Sequence, residues 1–575
     1  MSLDSQRRMI QIKFMTRVLK QQQHQKCSRL PMLVALLTLS LMGIVEVPAP
    51  GWAANQIVIS YDRVELSVVT VDALETFAKT GEITPEFRLY AELLKESELQ
   101  DLRQILLTKF HVNSEIIHQF INASAGENLL QRLGFVLRTE TNQNGYRALQ
   151  TALNKVIKNS HEITILDLLR AFPGQSIQLD AKTSIQVVKQ VYTLVVANNR
   201  MFANLQQLAQ ESVHPPAPLE TLNLLALTQQ GNFSWEEEII QFQNPARNRP
   251  SPTVIYFPRQ QKNAPVIVIS HGLGSQPQTF EYLALHLVSQ GFVVVVPEHI
   301  DTSTQTLEQV FQGVEPLPDP TSLINRPLDI TALLDTLAQE MTTRPTWQNR
   351  MNLEQVGVIG QSLGGYTVLA LAGATLNLEQ MPQHCDHPEE VSQLTFNLSE
   401  LLQCQALELP HQSYNLRDQR IKAVIGINPM TSLLFGETGM GEIEVPVMLF
   451  ANTQDYLVPP VAEQIIPFTW LTTPDKYLVL TQPGTHFSYL GKGQGIWPVP
   501  DEFVGPDPEL AYPYIQALTT AFFQVYLEGK SEYLPALNQS YLDQIGQGTF
   551  QLSILQSLTQ QELESGRFQR AGAGK

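Results

Sequence analysis

Cysteine is scarce in this chain of 575 residues, which holds three in all: Cys27, Cys385 and Cys404. So few exclude a disulfide-dense scaffold and the paired C-x-x-C spacing of a structural zinc site. Charge is sparse too, at 16% of residues, and it leans acidic: 38 Lys and Arg stand against 55 Asp and Glu, a net −17. That balance argues against nucleic acid as a partner and against an anionic membrane surface held by charge alone. There is no low-complexity tract, no P-loop, no H-E-x-x-H and no G-x-G-x-x-G after a first strand. What remains is an ordinary globular composition, 43% hydrophobic. A chain of this length exceeds one ordinary core, so two domains are expected.

Residues 1–53 read as an export signal. Arg7, Arg8, Lys13, Arg17, Lys20, Lys26 and Arg29 make a long basic segment, and Met32 to Val45 is an apolar run short for a spanning helix. Small residues precede a cleavage position after Ala53. An uncleaved membrane anchor is the alternative. In an exported chain the isolated pair Cys385 and Cys404 favours one disulfide. Two free thiols compete with that, as does a metal site built with His384, Asp386, His387 and His411, whose ligands are bunched too closely for a familiar zinc spacing. No metal and no cofactor are expected.

After a short alternating strand at 55–62, the pattern to about Arg200 is helical. Thr70 starts a helix that Gly81 stops, and Thr84-Pro85 opens the next. Residues 54–212 are accordingly read as a small all-helical domain. His214-Pro215-Pro216-Ala217-Pro218 marks the boundary. Beyond it, strands alternate with helices. Phe233 to Phe242 and Ser251 to Phe257 look like antiparallel edge strands. Pro265 to Ser270 and Phe292 to Pro297 are continuous apolar runs, as expected of strands covered on both faces. A helix from Leu328 to Met341, an apolar run from Leu353 to Ile359, and strands at Ile421 to Ile427, Val445 to Ala451 and Lys476 to Thr481 follow. The alternation predicts an α/β domain over 219–530, with a mostly parallel sheet flanked by helices. An insertion over 376–420 could cover its site, and 531–575 is read as a C-terminal helical extension and tail.

The chemistry centres on Gly360-Gln361-Ser362-Leu363-Gly364, a G-x-S-x-G between an apolar run and a small-residue helix. In such a nucleophile elbow a strained strand-to-helix turn lifts the serine Oγ above the sheet. Gly360 and Gly364 leave room where a Cβ would collide. A serine alcohol needs a base, the base an orienting carboxylate, and the oxyanion needs donors. His486 follows the last predicted strand, and Asp455 follows the strand before it. The order Ser362, Asp455, His486 is the α/β-hydrolase order. The expected oxyanion donors are the amides of Leu363 and of Leu273, the latter in a turn made flexible by Gly272 and Gly274. His271 reads as a structural hydrogen-bonder rather than a second base.

Residues about 225–530 resemble the platelet-activating factor acetylhydrolases of the α/β-hydrolase superfamily. The resemblance is carried by Ser270-His271-Gly272-Leu273-Gly274, Gly291 to His299 with Asp301, Arg326-Pro327-Leu328-Asp329, Gly360 to Gly365, and Gly484-Thr485-His486-Phe487. The layout is similar to bacterial secreted members with a helical domain of unknown function in front. The resemblance implies a metal-free serine esterase acting on short or oxidised acyl esters of lipid-like molecules, with transient contact to a lipid surface. One departure bears on the acid. Animal members carry it just after the strand following the elbow, where this chain has Asn428, so Asp455 is expected in the role. A polyester hydrolase or peptidase on the same triad, or a catalytically silent binding protein, are the competing readings.

Overall fold

The computed structural model describes residues 54–563 apart from 181–200, 212–223, 386–396, 492–503 and stretches of three or fewer elsewhere. The expected export signal lies outside the described residues. The chain divides into two compact units: Met1–Ala197 with Val310–Leu317 and Asp386–Phe396, and Asn198–Gln309 with Pro318–Cys385 and Asn397–Lys575. No described helix is long and apolar enough to cross a membrane.

The first unit is not all-helical. Strands β1 (Gln56–Tyr61), β2 (Val64–Thr70), β4 (Leu137–Arg138) and β6 (Ser176–Asp180) form a sheet in the order β2-β1-β6-β4. A separate two-stranded ribbon pairs β3 (Phe110–His111) with β5 (Glu162–Ile163). The sequence over 64–70 carries apolar residues at 64, 66 and 68, a strand period that the dense helical signals around it conceal. The helical signals themselves hold. Helix α1 (Val71–Thr80) is capped by the Thr70 hydroxyl on the Ala73 amide at 3.1 Å and ends at Gly81 with φ 80°. Helices α2 (Pro85–Ala91), α3 (Glu96–Leu107), α4 (Ser124–Gly134), α5 (Tyr146–Ile157) and α6 (Ile165–Ala171) follow among the described residues. Phe77, Leu149, Leu153, Phe172 and Ile177 lie at its core.

The units divide at Ala197, before the expected boundary at 212–219. Residues 201–211 are helical, and Met201, Phe202, Leu205 and Ala209 are buried in the second unit's core. Their spacing makes one apolar stripe, which outweighs the Pro-rich punctuation downstream.

Among the described residues the second unit is built on nine strands: β7 (Trp235–Gln243), β8 (Pro250–Pro258), β9 (Ala264–Ser270), β10 (Val293–Pro297), β11 (Met351–Gln361), β12 (Ile421–Ile427), β13 (Val447–Asn452), β14 (Lys476–Gln482) and β15 (Gln551–Leu555). Their order is β15-β14-β13-β12-β11-β9-β10-β8-β7. From β10 to β14 in that order neighbours are parallel, while β8 and β15 run antiparallel to them and β7 pairs antiparallel with β8. On β9, Val266 and Val268 enter one apolar core while Ile267 and Ile269 enter the other. Burial on both faces is why these strands read as unbroken apolar runs. Each fully buried valine or isoleucine stabilises by about 1.5–3 kcal/mol.

Helices α7 (Glu281–Ser289), α8 (Ser322–Thr343), α9 (Leu363–Leu371), α10 (Ser432–Gly441) and α11 (Tyr512–Tyr526) accompany the sheet. Helix α8 begins six residues before the expected Leu328 and contains Pro327. A proline has no N–H for the carbonyl four residues back. That carbonyl, on Leu323, instead accepts the Tyr366 hydroxyl of α9 at 3.1 Å. The C-terminal extension is helical only in part. After Gln539–Ile545 it returns as β15, pairing with the edge of β14 and burying Leu552, Ile554 and Leu555. An otherwise open edge of parallel sheet is covered in this way.

Cys385 and Cys404 form a disulfide across 19 residues of sequence in the 376–420 insertion, so neither sulfur is available to a metal. The later part of the insertion is pinned by the buried Glu463. Its carboxylate accepts from Asn397 Nδ2, from Gln403 Nε2 at 2.9 Å, and from the Thr431 and Ser432 amides at 2.8 and 2.9 Å.

Candidate active site

The carboxyl ends of β9, β11, β13 and β14 carry the residues the sequence singled out. β11 runs to Gln361, and α9 starts at Leu363. Ser362 between them has φ 56° and ψ −119°, a conformation that costs a non-glycine residue about 1–3 kcal/mol. Its amide is held by the Ile427 carbonyl at 2.9 Å, and its own carbonyl accepts the Tyr366 amide at 3.1 Å. The sharp turn depends on two missing side chains. A Cβ on Gly360 would lie 2.0 Å from the Gly364 carbonyl oxygen, and one on Gly364 would lie 2.0 Å from the Ser270 carbonyl oxygen. Strand β9 and helix α9 therefore approach closer than any alanine would allow.

Asp455 and His486 meet. His486 Nδ1 lies 2.6 Å from Asp455 Oδ2, the carboxylate fully buried and the imidazole 10% exposed. The other carboxylate oxygen accepts the amides of Leu457 at 3.0 Å and Val458 at 2.8 Å. The loop carrying the histidine is tied to β13: Asn452 Nδ2 donates to the Thr485 carbonyl at 2.6 Å and the Gln454 amide to the Gly484 carbonyl at 2.7 Å. Ser362 adjoins this pair through its neighbour, because Gln361 Nε2 lies 3.2 Å from His486 Nε2. Asn428 contacts none of these groups by hydrogen bond. Its side chain is buried with both polar atoms unpartnered among the described residues, and its φ is 45°.

The turn after β9 abuts the elbow. A Cβ on Gly272 would come within 3.4 Å of Ser362 Cβ, so Leu273 follows directly on a residue packed against the serine. Leu363 opens α9, and its amide is among those with no partner inside the helix. Behind the turn lies a buried polar cluster. His271 donates from Nδ1 to the Gly272 carbonyl at 2.8 Å and accepts the His299 amide on Nε2 at 2.9 Å. Burial pushes its pKa down to about 3, which keeps it neutral and structural, as its position suggested. Ser270 Oγ pairs with His299 Nε2 at 2.8 Å.

Arg326, 2% exposed, joins the pieces. Its guanidinium donates to Thr367 Oγ1 at 3.1 Å, to Ser270 Oγ at 3.3 Å, to Thr302 and to the His271 carbonyl. Burial lowers its pKa to about 9. No sequence pattern gives Arg326, Gln361 or Asn452 a role, since only the folded chain brings them to the site. Among the described residues no cluster of His, Cys, Asp or Glu is arranged to hold a metal ion.

A mixed sheet with this elbow between strand and helix is an α/β-hydrolase arrangement. The comparisons agree at that level. Residues 224–382 match the chlorophyllase family model, and residues 53–180 match a model described as an alpha/beta hydrolase of unknown function. The chain is 25% identical over 168 residues to chlorophyllase-1, chloroplastic, of Citrus unshiu, covering 28% of this chain and 46% of that one. It is 30% identical over 125 residues to the cutinases est1 and est2 of Thermobifida alba, covering 22% of this chain and 36% and 35% of theirs. The chain thus spans less than half the length of each curated relative it matches. The similarity is to alpha/beta hydrolase families, at low identity.

Proposed function

We propose that this protein is a serine carboxylic ester hydrolase working through an acyl-enzyme. The observation that carries the reading is the buried Asp455–His486 pair beside the strained Ser362 elbow. Ser362 Oγ attacks the ester carbonyl while its proton passes to His486 Nε2. The amides of Leu273 and Leu363 receive the developing oxyanion, each worth roughly 3–4 kcal/mol in the transition state. The imidazolium returns the proton to the leaving alcohol, and water then repeats the sequence on the acyl-enzyme. Asp455 fixes the imidazole with its proton on Nδ1 and stabilises its charge. No cofactor is required.

The substrate class we favour is short or oxidised acyl esters of lipid-like molecules, on the motif resemblance to the platelet-activating factor acetylhydrolases. The likeness to two cutinases supports a second reading, a polyester hydrolase. The disulfide supports export, since such bonds persist outside the reducing cytosol. The test is a rate panel of p-nitrophenyl esters of graded acyl length, oxidised-acyl phospholipid and polyester film. Ser362→Ala abolishes every activity it supports. Wild-type turnover in that variant, or no reaction of Ser362 with a fluorophosphonate, overturns the reading and leaves a binding protein.

A further inference from the structure

Gln361 ends β11 with only 2% of its surface exposed. Its Nε2 lies 3.2 Å from His486 Nε2 and 3.2 Å from the His486 carbonyl oxygen. A carbonyl oxygen only accepts, so the amide nitrogen must face it. The Asp455 carboxylate also only accepts, which places the proton of a neutral imidazole on Nδ1 and the lone pair on Nε2. Gln361 therefore donates to the lone pair that must later take the serine proton. The amide's other end faces the opposite loop: a Cβ on Gly272 would lie 2.5 Å from Gln361 Oε1. One side chain is thus wedged between the histidine loop and the oxyanion turn, next to Ser362.

We propose that Gln361 is a positioning residue that donates to His486 Nε2 in the resting enzyme, favouring the ring tautomer with its lone pair on Nε2, and sets the spacing of base and oxyanion turn. The proposal rests on the esterase reading for its catalytic meaning. The physical basis is the sign of the contact. An N–H donated to Nε2 stabilises the neutral ring and opposes the protonated one, where two donors would face each other. When Nε2 takes the serine proton, it no longer accepts from Gln361, and the new N–H serves the leaving oxygen. Among the described residues Asp455 is the charged group bonded to His486; Phe487 stacks edge-on at 5.6 Å, and Thr485 and Ser488 of the same loop are neutral.

Two variants test this, Gln361→Met and Gln361→Glu, each checked for an unchanged thermal melt. The acid limb of kcat/KM for a p-nitrophenyl ester moves to higher pH by roughly half a unit to one unit in Gln361→Met. It moves further in Gln361→Glu, whose carboxylate favours the imidazolium, and kcat falls more than KM changes. Histidine-selective NMR titration of His486 in a Ser362→Ala background gives the same ranking without turnover. Identical His486 titrations in the three proteins, or a loss of kcat/KM equal at every pH, overturn the proposal. An inactive wild type with an unlabelled Ser362 sinks the esterase reading instead, and the titration still decides the role of Gln361.

Discussion

Asp455 divides its carboxylate between a ring and a backbone: Oδ2 meets His486 Nδ1 at 2.6 Å, and Oδ1 takes the amides of Leu457 and Val458. The backbone half keeps the carboxylate from turning, so the imidazole has one orientation available. Asp455→Asn retains the shape but can present N–H to Nδ1 and invert the tautomer. We expect kcat to fall by roughly 10²–10⁴-fold. Asn428→Gly, compatible with the left-handed backbone there, should leave kcat close to wild type. Ester kinetics on both variants give the ranking, and the reverse order would move the acid to the strand following the elbow.

The elbow conformation sets stability against chemistry. At φ 56° a glycine is at ease where serine is not. Ser362→Gly should abolish ester turnover and raise the unfolding free energy by about 1 kcal/mol or more, whereas Ser362→Ala should be inactive without that gain. Denaturant titration of the three proteins compares them.

Arg326 is predicted to matter to fold and rate together. Arg326→Met leaves the His271 carbonyl and the hydroxyls of Ser270, Thr302 and Thr367 short of a donor. The expected cost is about 2–4 kcal/mol of stability. A fall in kcat should accompany it, because the same group supports the turn presenting Leu273. Thermal melts and kcat are the measurements, and an unchanged melt would contradict the prediction.

Stability should decline on mild acidification. Burial lowers the pKa of His271 to about 3 and of His286 to about 4, and that of His299 well below the usual histidine value. The unfolded chain, titrating near 6.5, then binds more protons than the folded one between about pH 6.5 and 4. Stability is retained above that window and drains as pH falls through it, by up to about 1.4 kcal/mol per pH unit for each histidine. Urea midpoints at pH 7.5, 6 and 5 would show the slope, and His286→Gln should make it shallower.

Removing the disulfide by Cys385→Ala with Cys404→Ala frees a loop of 19 residues. The chain-entropy estimate for such a loop is roughly 2–4 kcal/mol. Calorimetry of the oxidised protein against the double variant reads this directly.

The second unit was largely legible because its physics is local. Val266 to Ile269 and Val293 to Val296 are apolar on both faces, and Gly360 and Gly364 bracket the serine by sterics alone. Asp455 and His486 could be nominated from strand-end position. Their contact spans 31 residues of sequence and only the fold reveals it. In the first unit's sheet only β1 was legible: helical signals conceal the period of β2, while β6 has five residues and β4 two, too few for a period to register. β15 escaped for a different reason: an added edge strand is defined by the neighbour it completes. Gln361 carries no sequence signal, since its partner lies 125 residues away.

The hydroxyl of Tyr366 occupies the place that Pro327 leaves empty in the hydrogen-bond ladder of α8, at the Leu323 carbonyl. Because the donor comes from the helix that begins just after Ser362, sliding either helix by one turn would strand a buried carbonyl and a buried phenol at once. The proline thus acts as an index mark, fixing where along α8 the serine's helix must rest.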